Sequence, residues 1–116
     1  LDARQLTRLA TRAAHALGRT GTVSHDGSGD FVIAFSTAHT WAHDPAAPVE
    51  SVTRFTDHSS LNALFLAAVE SIEESIWNSV VAAHTMTGRA GNTLHALPHE
   101  ALVRLVGHYR PELLIT

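Results

Sequence analysis

The run FVIAFS, residues 31–36, is the clearest strand candidate in the sequence. It is short, almost wholly apolar and rich in aromatic and β-branched residues, which is typical of a β-strand covered on both faces. Residues 20–23 and 52–55 are weaker strand candidates. The glycine-rich and serine-rich residues 18–30 before it predict a structured polar loop, and the residues between Ala38 and Asp57, which include two prolines, predict a surface loop.

Upstream of that loop, apolar residues recur at three- and four-residue spacings and predict an amphipathic helix that ends at Gly18. These residues are Leu6, Leu9, Ala10, Ala13, Ala14 and Leu17. The opposite face carries Arg4, Arg8 and Arg12 in a row. This row is expected either to be solvated or to touch carboxylates of another subunit.

A second helix is predicted from about residue 60 to residue 83, where apolar residues keep the helical period, with Ser59 or Ser60 as its N-cap. Residues 85–92 predict a turn region. Pro98 stands where a proline is tolerated, at the first turn of a third, shorter helix.

These elements do not close a fold, because a single buried strand leaves its backbone donors and acceptors unpaired. Leu1 is not a translation start, and residues 1–5 already predict the first turn of a helix. We therefore expect residues 1–116 to form a single domain fragment of an α/β (α+β) fold. The remaining strands are expected from a segment that precedes Leu1.

Composition excludes several classes of function. Eight basic against eleven acidic residues give a formal charge of −3, without the positive field that nucleic-acid binding requires. No cysteine is present, which excludes disulfides, thiolate zinc sites and cysteine nucleophiles. No apolar run approaches the roughly 20 residues that span a bilayer, so no membrane partner is expected.

Nine histidines raise the question of a metal site. His39 with His43, and His95 with His99, are four residues apart, a spacing that would align two ligands on a helix. The first pair falls in a predicted loop, the second straddles Pro98, and zinc would need a third ligand as well. The sequence therefore predicts no metal and no cofactor, with the histidines as scattered surface or capping residues.

Two separated blocks of residues carry a family resemblance. The first consists of GRTG at 18–21, GSGDF at 27–31 and AFSTA at 34–38, and the second of EESIWNS at 73–79, TMTGR at 85–89 and ALPH at 96–99. In this order they resemble the small, C-terminal subunit of the L-aminopeptidase/D-esterase (D-amidase) and β-peptidyl aminopeptidase family of self-processing N-terminal-serine peptidases. The likeness covers almost the whole chain apart from residues 39–56.

The resemblance implies a four-layer α/β/β/α sandwich of the aminopeptidase/ornithine acetyltransferase type, completed by an upstream large subunit of the same precursor. Self-cleavage in the family frees a serine as the first residue of the small subunit, where it serves as the nucleophile and, through its new amino group, as its own base. That serine would lie shortly before Leu1, outside this sequence. The family also implies a homo-oligomer of two-chain units.

The same resemblance implies catalytic roles for Ser28 and Asp30, which match the serine and the acidic residue beside the nucleophile. Ser28 would hydrogen-bond the nucleophile or its amine, and Asp30 would hold that amine in place. Many relatives carry glutamate where this sequence has Asp30, whose side chain is shorter. Without the resemblance, serine, glycine and aspartate at 28–30 would indicate an ordinary turn.

The implied activity is that of an aminopeptidase or amidase that removes N-terminal residues from short peptides, amides or esters through an acyl-enzyme. A cytoplasmic location is expected, with the periplasm as the alternative. One rival interpretation is acyl transfer, as in the ornithine acetyltransferases, which use a threonine nucleophile. The other is a catalytically inactive assembly or binding module of the same fold.

Overall fold

The computed structural model describes residues 1–49 and 51–114. The chain divides into two compact units, Leu1–Glu74 and Ser75–Thr116. The helices are α1 (Ala3–Ala10), α2 (Arg12–Arg19), α3 (Ser60–Ala82) and α4 (His99–Tyr109), and the strands are β1 (Met86–Thr87) and β2 (Thr93–Leu94). Short 3-10 helices span Arg89–Gly91 and Pro111–Leu113.

Helix α1 begins at a reciprocal cap. The Asp2 carboxylate accepts from the backbone N–H of Gln5 at 2.8 Å, and the Gln5 side-chain oxygen accepts from the backbone N–H of Asp2 at 2.9 Å. The hydrogen bond from Gln5, together with the charge of Arg54, lowers the pKa of Asp2. The helical first turn predicted for residues 1–5 is therefore confirmed.

The first helix of the sequence appears as two segments that are nearly continuous. Thr11 between them keeps right-handed helical backbone angles, and its N–H donates to the Thr7 carbonyl at 3.0 Å. The expected end at Gly18 is wrong, since α2 continues to Arg19. Gly21 instead adopts the left-handed conformation, with φ of 98°, because a glycine has no Cβ to oppose it.

The core of the first unit is small. Its buried apolar residues are Ala13, Ala16, Leu61, Phe65 and Val69. Those of α3 recur every four residues, so they lie on one face of the helix. The guanidinium carbons of Arg8 and Arg12 lie 5.1 and 4.0 Å from the centroid of the Phe65 ring. The arginine row predicted to be solvated or intersubunit thus has two members packed on an aromatic ring of α3.

A buried glutamine ties the loop before α3 to α1. Gln5 is 1% exposed, and its side-chain nitrogen donates to the Phe55 carbonyl at 2.8 Å. Arg54 lies 3.4 Å from the Asp2 carboxylate at the same place. His39 makes a ring-nitrogen contact of 3.0 Å with the Thr53 carbonyl. Residues 52–55, a weak strand candidate, therefore contact the start of α1 but do not form a strand.

The α3 helix matches its predicted range of 60–83 to within one residue. The hydroxyls of Ser59 and Ser60 both donate to the carboxylate of Asp57, just before the helix. These two hydrogen bonds, of which the one from Ser60 has the larger effect, lower the pKa of Asp57 to about 2. The carboxylate therefore stays charged down to strongly acidic pH.

The predicted strand at 31–36 is not formed. These residues have no regular secondary structure, and Phe31, Ile33 and Phe35 are 97%, 88% and 78% exposed. Within the described residues, the backbone groups of 31–35 make no hydrogen bond. A strand needs a neighbour to pair with, and none of the residues described here provides one. Residues 20–23 form no strand either.

The second unit contains a small hairpin and α4. Strands β1 and β2 pair antiparallel with Met86 opposite Leu94, and Ala90 and Gly91 turn the chain with φ of 59° and 76°. The predicted turn region is therefore confirmed, as is the helix after Pro98. The described residues of this unit include no buried side chain.

Large apolar side chains remain exposed in the first unit. Besides those of residues 31–35, they include Val23, Leu64 and Leu66, which are 72%, 43% and 56% exposed. The first unit thus presents apolar surface that its own small core does not cover. None of the helices described here is long and apolar enough to cross a membrane.

We expect Leu61→Ala to lower the free energy of unfolding of the full-length protein by about 2–5 kcal/mol, because Leu61 is 1% exposed and its loss leaves a cavity. Asn62→Ala, at the neighbouring exposed position of α3, is the matched control and should cost less than about 0.5 kcal/mol. Chemical denaturation measures both, and equal effects would contradict this description of the core.

Candidate functional site

The loop that carries the predicted catalytic residues leaves the end of α2. The N–H groups of Thr20 and Gly21 donate to α2 carbonyls at 3.1 and 3.2 Å, so the chain winds back on the helix end before it departs. A turn then forms where the Ser28 N–H donates to the His25 carbonyl at 2.9 Å. Gly27 within it has φ of 82°, a conformation that costs an L-residue energy.

Ser28 and Asp30 lie on this loop, and both side chains are exposed. Neither side chain has a hydrogen-bond partner among the described residues. A serine hydroxyl becomes a good nucleophile only when a base takes its proton. Since no such base contacts Ser28 among the residues that the structure describes, Ser28 and Asp30 by themselves do not form a nucleophile with its base.

Asp30 lies at the edge of an open cavity beside α1 and α2. The cavity has a volume of about 310 Å³, and its lining includes Ala10, Ala14, Leu17, Ser24, Asp30 and Val32. A neighbouring cavity of about 430 Å³ is lined by Leu6 and Ala10 of α1 and by residues 32–34. Much of the apolar stripe predicted for the first helix thus faces open space beside residues 30–34.

An ion pair that sequence reasoning missed lies at the start of the loop. The Nε of Arg19, the last residue of α2, is 2.8 Å from Oε2 of Glu73 on α3. Both residues stand in the motif blocks at 18–21 and 73–79, but their 54-residue separation gave no signal that they meet. Glu74 and Asn78, two further polar residues of the block at 73–79, are exposed.

The histidines form no candidate metal centre in the described ranges. Among these residues, no group of three or more potential ligands is close enough to hold an ion. The ring nitrogens of His39 and His99 contact backbone carbonyls, of Thr53 and Val81 respectively, at 3.0 and 2.9 Å. These two imidazoles therefore serve as hydrogen-bonding groups within their own units.

Comparison with known proteins finds a matching protein family and similar proteins. Residues 1–94 match peptidase family S58, a range that includes both Ser28 and Asp30. The chain is 37% identical over 102 residues to beta-peptidyl aminopeptidase BapA of Sphingosinicella xenopeptidilytica, covering 88% of this chain and 25% of that protein. It is 42% identical over 106 residues to the enzyme of the same name from Sphingosinicella microcystinivorans, covering 91% of this chain and 26% of that protein.

Solved structures also include proteins similar to this chain. One is a crystal structure of a protein from Pyrococcus horikoshii OT3, with a TM-score of 0.83 and 41% identity over 94% of this chain and 30% of the other. Another is the L-aminopeptidase D-Ala-esterase/amidase of Ochrobactrum anthropi, described as a variant of the Ntn hydrolase fold. It has a TM-score of 0.80 and 38% identity over 91% of this chain and 30% of that one. The chain spans about a quarter of the length of the two curated Sphingosinicella relatives.

Gly27 and Gly29 offer a test of the loop geometry around Ser28. We expect Gly27→Ala to lower the free energy of unfolding of the full-length protein by about 1 kcal/mol, because an alanine Cβ disfavours the left-handed conformation. Gly29→Ala is the control, since its φ is not positive and an added Cβ would meet only the Phe31 ring, at 3.8 Å. Urea denaturation compares the two variants, and a larger loss for Gly29→Ala would refute the loop geometry.

Proposed function

Because the chain belongs to peptidase family S58, we propose that it is the smaller, C-terminal part of a self-cleaving serine aminopeptidase or amidase. The observation that carries this proposal is the family match over residues 1–94, which includes Ser28, Asp30 and the helices that position their loop. The two curated relatives are beta-peptidyl aminopeptidases, and the chain covers 25% and 26% of them. Their size leaves room for a larger subunit from the same precursor.

In this proposal the nucleophile is a serine that becomes the first residue of the small subunit, shortly before Leu1. Its own amino group takes the hydroxyl proton as the oxygen attacks the substrate carbonyl. The leaving amine, or the alcohol in the case of an ester, then departs with that proton and leaves an acyl-enzyme, which water hydrolyses. The substrates are short peptides, amides or esters, whose N-terminal residue is released.

Ser28 and Asp30 act on that amino group and hydroxyl. Ser28 donates to or accepts from the nucleophile, and the Asp30 carboxylate holds the amine and stabilises its charged form. Their exposure and lack of side-chain partners support this role, since both groups are free to meet a residue supplied from elsewhere. The cavity of about 310 Å³ beside Asp30 offers space for that segment.

The large subunit completes the fold in this proposal as a four-layer α/β/β/α sandwich. Residues 31–35 support this, because their unpaired backbone and their exposed Phe31, Ile33 and Phe35 fit a strand inside a larger sheet. The further exposed apolar side chains of the first unit, such as Val23 and Leu66, support an extensive partner interface. We further propose that two-chain units associate into a homo-oligomer in the cytoplasm.

The test uses the full-length protein and three classes of substrate: β-peptides, aminoacyl amides and D-amino acid esters. We expect release of the N-terminal residue from at least one class. Ser28→Ala and Asp30→Asn should each lower kcat by about 10²-fold or more, the range for groups that assist proton transfer. Asp26→Asn, an exposed carboxylate in the same loop, is the matched control and should keep near-normal kcat.

Two results would contradict the proposal. One is a correctly folded full-length protein that releases no product from any of the three substrate classes. The other is turnover that survives both Ser28→Ala and Asp30→Asn, because the loop would then lie away from the reacting groups.

A further inference from the structure

The loop from residue 21 to residue 30 has no anchor of its own. All ten of its residues are exposed, and the hydrogen bonds within it join residues close in sequence, such as Ser28 and His25. Gly21 and Gly27 adopt left-handed angles and bring the conformational freedom of glycine. The position of Ser28 therefore depends on how firmly the chain is held where the loop begins.

The loop begins at the last turn of α2, and Arg19 is the last residue of that helix. The Thr20 N–H donates to the carbonyls of Ala16 and Leu17, both at 3.1 Å. The Gly21 N–H donates to the Gly18 carbonyl at 3.2 Å, and the Thr22 N–H donates to the Leu17 carbonyl at 3.3 Å. The first residues of the loop are thus fastened to the helix end. Any shift of this helix end moves the loop with it.

The Arg19–Glu73 ion pair fixes this helix end to α3. Its N···O distance is 2.8 Å, and the Glu73 side chain is only 22% exposed. Of the ion pairs found between described residues, the pair of Arg110 with Glu112 is local in sequence, and that of Arg54 with Asp2 lies at the other end of the first helix. The Arg19–Glu73 pair is the one that joins the start of the loop to α3.

We propose that Arg19 and Glu73 are positioning residues, which hold the loop so that Ser28 and Asp30 meet the nucleophile. The inference rests on the proposed function, and it adds two residues that touch neither substrate nor nucleophile. An exposed or half-exposed ion pair contributes little to global stability. Its loss is therefore expected to affect the alignment of the loop more than the folding of the protein.

The experiment measures kcat and KM of the full-length protein with the substrate that it turns over best. Glu73→Gln and Arg19→Ala should each lower kcat about tenfold and leave KM within about twofold, as a misplaced catalytic loop requires. The double variant should lose no more than either single variant, because both changes remove the same contact. Arg19→Lys should recover most of kcat, since it keeps a cation near Glu73.

Glu70→Gln is the matched control, because Glu70 is an exposed glutamate one turn earlier on α3 with no ion pair among the described residues. It should leave kcat unchanged. The inference is overturned if Glu73→Gln also leaves kcat unchanged, or if the losses of Arg19→Ala and Glu73→Gln simply multiply in the double variant.

A second readout separates this inference from the proposed function. Hydrogen exchange of the peptide that covers residues 20–30 reports on the N–H bonds of Thr20, Gly21, Thr22 and Ser28 without any substrate. Faster exchange in Glu73→Gln than in Glu70→Gln supports the anchoring role even if no substrate is turned over, in which case the proposed function alone fails. Equal exchange in the two variants overturns the anchoring role.

Discussion

The backbone of residues 31–35 is left without a neighbouring strand by the described part of the chain. Its N–H and C=O groups make no hydrogen bond among the described residues, and three large apolar side chains beside them face solvent. Buried peptide groups need partners, and exposed aromatic residues gain free energy when they are covered. Much of the apolar face of α1 and α2 also borders open space next to this segment. Both features are satisfied together if further strands are added beside residues 31–35.

The local features of the fold were readable from the sequence, whereas the non-local ones were not. The α3 helix was predicted almost to the residue because its spacing repeats over many turns. The end of the first helix was misplaced at Gly18, since Gly21 is an equally plausible stop only three residues later. Residues 31–36 carry a strand composition, but strand pairing depends on a neighbour that this composition cannot specify.

The candidate site likewise has residues that the sequence predicts and contacts that it does not. Family resemblance led to Ser28 and Asp30, and the structure places both on one exposed loop at the end of α2. The contact between Arg19 and Glu73 was not predicted, because residues 54 positions apart meet only once two helices have packed. The bond from Gln5 to Phe55 was missed for the same reason. The first contact lies where the loop that carries Ser28 begins, whereas the second ties the segment before α3 to the start of α1.

In the proposed function, this chain is a self-cleavage product that works with the remainder of its precursor. The most direct test is intact mass measurement with N-terminal sequencing of the protein produced from its full reading frame. We expect two polypeptides, of which the smaller begins with serine a short distance before Leu1. A single uncut polypeptide would contradict the proposed function, because self-cleavage and turnover depend on the same serine.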